Sequence, residues 1–152
     1  MRVVLDTNVL VRAAGRASSP AREVFLRVLE PPHTLVASAY LLDELRRVLN
    51  YPRVQAAHGL SVEKAERHVG DVATSAEIVE VSSSIPSAVP QDPGDDPIVD
   101  TAVLGRANAL CTRDGHLHSP TVIEYCRQFG IRILTDVELL NELRALDQEK
   151  SE

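Results

Sequence analysis

The sequence predicts an α/β domain, a three-layer α/β/α sandwich around a mostly parallel central sheet, on three observations. Short apolar runs alternate with longer stretches whose apolar residues carry helical spacing, the pattern of repeated strand–helix–strand units. The short runs are continuously apolar rather than alternating, as strands covered on both faces require. Most helical stretches open on a capping residue or a proline, so strand passes into helix through short connections. At 152 residues the chain forms a single domain with enough material for a core. Residues 1–147 are read as that domain, with 148–152 as a charged tail.

The first strand, Val3-Val4-Leu5, ends on Asp6, and Val9, Leu10 and Ala13 then carry helix spacing as far as Gly15. Ser19 caps the next helix with Pro20 at its first position, Val24, Phe25, Val28 and Leu29 form its stripe, and Pro31-Pro32 stops it. Thr34-Leu35-Val36-Ala37 reads as a second strand, after which Ser38 caps a helix from about Ala39 to Asn50. At about 100° per residue, Leu41, Leu42, Leu45, Val48 and Leu49 share one face; Glu44 falls at its rim and Asp43 points away. Pro52 breaks this helix, a short helical piece runs to Gly59, and Ser61 caps a more polar helix to about Ser75. Ile78-Val79-Glu80-Val81 is the third strand. Residues 82–94, rich in Ser and Pro, form a long loop of the kind that often carries function.

Asp95-Asp96-Pro97 starts a helix to about Asn108, with apolar residues round most of its circumference and Asp96 and Asp100 one turn apart on one face. Ala109-Leu110-Cys111-Thr112 is the next strand, followed by Arg113-Asp114-Gly115. Ser119-Pro120 caps a helix to about Phe129, Gly130 ends it, and Ile131-Arg132-Ile133-Leu134 is the last strand. Thr135-x-x-Glu138 is a capping box for a final helix to about Ala145.

Composition narrows the function. The chain is 44% hydrophobic and 25% charged but only 3% aromatic, with no tryptophan, which argues against stacking platforms for bases. A net charge of −6 gives no basic field to hold nucleic acid, yet leaves room for an enzyme whose acidic site binds cations. Cys111 and Cys126 lack C-x-x-C spacing and are expected to be reduced core thiols. No apolar run approaches the roughly 20 residues of a membrane span, and no leader precedes the first strand, so a cytoplasmic protein is expected.

Five carboxylates carry the chemistry: Asp6, Glu44, Asp96, Asp100 and Asp114. Asp6 and Asp114 follow apolar strands, so a parallel sheet delivers both to one edge, where such sheets place ligands. Acids brought together without counter-ions repel and shift their pKa values upward. A hard divalent cation, Mg²⁺ or Mn²⁺, removes that cost, since it prefers oxygen ligands and can polarise a phosphodiester. Each acid also has a plainer reading: Asp6 and Asp96 as helix caps, Glu44 as a surface acid, Asp114-Gly115 as a turn. Asp100 in a buried helix is harder to dismiss, because an unpaired buried charge is expensive. His116 and His118 suit a solvent-exposed loop better than a transition-metal site.

Four segments in order, Asp6-Thr7-Asn8-Val9-Leu10, Glu44-Leu45-Arg46-Arg47-Val48-Leu49, Asp92-Pro93-Gly94-Asp95-Asp96 and Thr112-Arg113-Asp114, resemble the motifs of the PIN domain. The resemblance covers nearly the whole chain and is closest to a bacterial branch of toxins from toxin–antitoxin pairs. It implies a metal-dependent ribonuclease acting on single-stranded RNA, with Asp6, Glu44, Asp96 and Asp114 as catalytic and metal-binding residues. It further implies Asp100 as a ligand or close neighbour of the set, Asn8 and Thr112 as supporting polar groups, a cognate antitoxin and a homodimer. Many members carry Gly where Arg113 stands; Arg113 is a candidate phosphate contact. Two rivals remain: a degenerate PIN-like module that binds RNA or protein without cutting, and an aspartyl-phosphate phosphatase. The second would need a second Asp where Asn8 stands and a lysine after a strand, which neither Lys64 nor Lys150 supplies.

Overall fold

The computed structural model describes residues 1–15, 18–81 and 93–151. A five-stranded sheet, all parallel, runs β3-β2-β1-β4-β5, with β1 Arg2–Leu5, β2 Thr34–Ser38, β3 Glu77–Val79, β4 Ala109–Cys111 and β5 Arg132–Leu134. Between β1 and β2 lie helices α1 (Thr7–Ala14) and α2 (Pro20–Val28). Between β2 and β3 lie α3 (Ala39–Leu49), α4 (Pro52–His58) and α5 (Val62–Ser75). Then α6 (Pro97–Leu104) leads to β4, α7 (Pro120–Arg127) to β5, and α8 (Asp136–Lys150) closes the described chain. The chain steps one way across the sheet from β1 to β3 and the other way from β3 to β5, so the right-handed crossover rule for parallel strands assigns α1 to α5 to one face and α6 and α7 to the other. This is the predicted three-layer arrangement.

Val3, Val4, Leu5, Val36 and Leu110 are fully buried, which explains why the central strands read as unbroken apolar runs. The expected caps are present: the Ser19, Ser38, Ser61 and Ser119 side chains each accept a backbone N–H from the first turn of their helices. Thr135 and Glu138 form the reciprocal capping box. Ser38 does a second job, sharing a 2.8 Å hydrogen bond with the buried Thr101 hydroxyl and so tying the end of β2 to α6.

The structure corrects three boundaries. The third strand lies one residue earlier and ends at Val79; it is a short edge strand, and Glu77 pairs there with Arg2. Helix α6 stops at Leu104 instead of reaching Asn108, because Arg106 takes a left-handed conformation (φ 53°). Its N–H bonds to Val103 O while the Ala107 N–H bonds to Ala102 O, a paired closure that ends a helix. The shortening leaves Leu104 exposed, so this helix is less completely enclosed than its composition predicts. Helix α8 continues past Ala145 to Lys150, so the boundary expected at 147 falls inside it. Contacts to α2 support the extra turn: Arg144 grips Glu23 through two hydrogen bonds, and Asp147 pairs with Arg27. The Ser/Pro-rich loop lies mostly outside the described residues; its end, Pro93–Asp95, is a single 3-10 turn.

Candidate functional site

The chain leaves β1 toward β2 on one side and returns to β4 on the other, so β1 and β4 flank the point where the strand order reverses. Open α/β sheets bind ligands outside the carboxyl ends of strands at that point. The register pairs Leu5 with Cys111, which sets Asp6 beside Thr112 at one level of the sheet edge. Over this edge opens a cleft of about 990 Å³, lined among other residues by Asp6, Glu44, Asp96 and Asp114. Four separate elements (the end of β1, helix α3, the start of α6 and the loop after β4) thus deliver acids to one space.

Asp6 is the most enclosed of the four, at 8% exposure. Its Oδ1 accepts the Thr7 N–H at 2.7 Å, capping α1, and its Oδ2 accepts the Thr112 hydroxyl at 2.8 Å and Asn8 Nδ2 at 3.2 Å. Burial pushes its pKa from 3.8 to about 6; the bonds from Thr112 and Thr7 pull it down, while Glu44 and Asp114 push it up. Asp96 caps α6 by accepting the Ile98 N–H at 3.0 Å, so its capping role is real and coexists with a place in the cleft. Its pKa is also raised, first by burial; the Ile98 amide and His116 oppose that, and Asp114 and Glu44 add to it.

Glu44 is half-buried and faces the cleft while Asp43 is exposed, the separation that helical spacing predicts. Asp114 is exposed at the cleft edge; its N–H donates to Thr112 Oγ1 at 3.0 Å and its Oδ1 accepts the His116 N–H at 2.9 Å. The turn reading and the site reading therefore both describe it. Asn8 and Thr112 both hydrogen-bond to Asp6 Oδ2. His116 lines the cleft, whereas His118 Nε2 is held on the Thr112 carbonyl at 2.8 Å.

Two residues lie differently. Asp100, half-buried one turn further along α6, is not among the residues lining the cleft. Nor is Arg113, whose Nε donates to Asp136 Oδ1 at 3.0 Å instead of reaching into the cleft. Among the lining residues that sequence reasoning did not single out are Thr7, Arg12, Tyr40 and His58. Helical spacing held a signal for two of them, since Arg12 follows Asn8 by four residues and Tyr40 precedes Glu44 by four. The Tyr40 phenol is pushed up to about 12, by burial first and then by the nearby Glu44 carboxylate. His58 carried no sequence signal; it arrives because α4 folds back to place its ring against Gly15.

The donor set fits a hard divalent cation. Glu44 and Asp114 add their charge to the upward shifts that burial imposes on Asp6 and Asp96, as like charges sharing a space do. Thr7 Oγ1 is buried on the same wall with no partner among the described residues, an unfilled valence that a water or ligand would satisfy. Among the described residues no three acids, imidazoles or thiols stand close enough to enclose an ion directly. That spacing suits Mg²⁺ or Mn²⁺ held by one or two carboxylates, with the other acids acting through water, since Mg²⁺ keeps much of its hydration shell.

A family model described as PIN domain matches residues 2–116, from the first strand through the loop that carries Asp114 and His116. No curated protein matches the chain.

Proposed function

The chain belongs to the PIN domain family, whose members are nuclease-type domains, and from that premise we propose that its acidic cleft hydrolyses phosphodiester bonds of single-stranded RNA. The convergence of Asp6, Glu44, Asp96 and Asp114 on one cleft at the sheet's reversal point carries the proposal. Asp6, Asp96, Asp114 and Glu44 are the residues that would hold Mg²⁺ or Mn²⁺, one or two of them directly and the others, Glu44 among them, through water. When bound, the ion supplies Lewis-acid polarisation of the phosphodiester and a lowered pKa for an attacking water.

The protein's own groups do the remaining work. Three donors, from Thr7, Asn8 and Thr112, clamp both oxygens of Asp6 so that the carboxylate cannot swing. Arg12 supplies a guanidinium in the cleft with no hydrogen bond or ion pair among the described residues, free for a phosphate oxygen. Tyr40 gives the cleft an aromatic wall beside Glu44, able to pack a sugar or a base. No side-chain nucleophile is needed. The role as toxin of a toxin–antitoxin pair, with a cognate antitoxin and a homodimer, is supported by the sequence resemblance. No helix of the described residues is long and apolar enough to cross a membrane.

Cleavage of a single-stranded RNA pool with and without EDTA, beside Asp6→Asn, tests the proposal. The wild type should cut only with the ion present, and the variant should fold and not cut. An EDTA-resistant rate, or full activity in the variant, would refute it. One observation favours a second reading, a PIN-like module that binds without cutting: among the described residues the acids do not form a ready-made ion cage. Retention of RNA with no turnover in Mg²⁺ or Mn²⁺ would select it.

A further inference from the structure

Resting on the nuclease reading of the cleft, we propose that Asp136, at the start of α8, is a positioning residue that acts on Asp6 through Arg113 and Asn8. Asp136 is 1% exposed, a carboxylate taken almost fully out of water. Its Oδ1 accepts the Val137 N–H at 3.0 Å and the Arg113 Nε–H at 3.0 Å. A buried charge of this kind depends on its partner, so the pair fixes Arg113 firmly. The Arg113 backbone N–H in turn donates to Asn8 Oδ1 at 3.1 Å.

That bond decides which way the Asn8 carboxamide faces. With its oxygen committed to Arg113, its Nδ2 is turned to Asp6 Oδ2 at 3.2 Å and Thr112 Oγ1 at 3.4 Å. Reversed, it would set an oxygen against the Asp6 carboxylate. The flanking residues reinforce the path: Thr112 donates its hydroxyl proton to Asp6, and Asp114 donates its N–H to the Thr112 hydroxyl. Anchoring Arg113 to α8 therefore holds residues 112–114 and the Asn8 side chain in the one arrangement that fixes Asp6. Such outer contacts commonly set ligand orientation in ion sites.

The test uses the full chain and reads it in two ways. Without metal, hydrogen exchange at the Arg113 amide, followed by NMR, should accelerate about tenfold in Asp136→Asn while the core amides of Val4 and Leu110 keep their rates. An unchanged rate at Arg113 overturns the proposal. With Mn²⁺, the affinity of Asp136→Asn should fall about tenfold, the loss typical when a group behind a ligand is removed. Adding Asn8→Ala should cost little more, because both substitutions act on Asp6 along one path. On RNA, kcat should fall by a similar factor with KM unchanged, and Asp136→Glu should restore part of it. Fully additive losses overturn the proposal, as does a fall in thermal stability with Mn²⁺ affinity and kcat intact. Should Asp136→Asn not fold, Arg113→Gln, whose side chain is 40% exposed, is read in the same way. A wild type that neither binds Mn²⁺ nor cuts RNA removes the nuclease reading, and the positioning role then stands or falls on exchange at Arg113.

Discussion

Asp6 carries its charge at neutral pH at the expense of the fold. Its pKa, raised from 3.8 to about 6, corresponds to about 3 kcal/mol at neutral pH. The folded state binds this proton more tightly than the unfolded chain does. The group's contribution is therefore most favourable below about pH 4 and is lost as the pH rises through about 6. Asp6→Asn should accordingly make the metal-free protein more stable at pH 7.5, by about 1–3 kcal/mol, with the advantage shrinking toward pH 4. Urea denaturation of both proteins at the two pH values measures it; a less stable variant at pH 7.5 would count against the buried-charge argument. The comparison cancels His68, whose pKa burial lowers and which loses stability in the opposite direction as pH falls. Arg12 belongs to the same scale. Arg12→Gln should raise KM for RNA roughly threefold to tenfold, flatten the salt dependence by about one unit and leave kcat nearly unchanged. A loss confined to kcat would place Arg12 elsewhere in the reaction.

At the scale of elements, the end of α6 shows how packing sets a boundary that composition does not reveal. A Cβ added to Gly105 would lie 2.3 Å from Val36 Cγ1, so the helix presses onto β2 where no side chain fits. Gly105→Ala should destabilise by about 1–3 kcal/mol, the usual range for overpacking. Gly70, mid-way along α5, has nothing within 4 Å of an added Cβ. Gly70→Ala should stabilise by about 0.5–1 kcal/mol, since alanine is the better helix former. Equilibrium denaturation of both variants checks the pair of signs, and like signs would mean that helix propensity, not packing, governs both sites. The last turn of α8 is polar, so the apolar pattern stops short of the helix end at Lys150. Its support comes from Glu23 and Arg27, residues more than a hundred positions away.

Over the whole molecule, what was legible followed from local rules. Strand ends put Asp6 and Asp114 at one sheet edge, because a parallel sheet exposes its carboxyl ends together, whereas the grouping of Glu44 and Asp96 with them rested on the resemblance to the PIN motifs. Periodicity even separated Glu44 from Asp43. What was not legible depended on contacts between distant segments: Arg113 reaching Asp136, His58 folding over Gly15, and Asp100 missing the cleft by a turn. No spacing rule encodes which of two neighbouring helices will lean across a cleft.

The shared-ion cleft itself is open to a single decisive measurement, the thermal stability of wild type and Asp6→Asn against Mn²⁺ concentration. At a hundred times its dissociation constant, a bound ion stabilises by about 2.7 kcal/mol, or roughly 5–10 °C for a domain of this size. The wild type should show that rise and Asp6→Asn should show little of it. No rise in the wild type, or the same rise in both proteins, would mean that the acids do not gather around an ion held by Asp6.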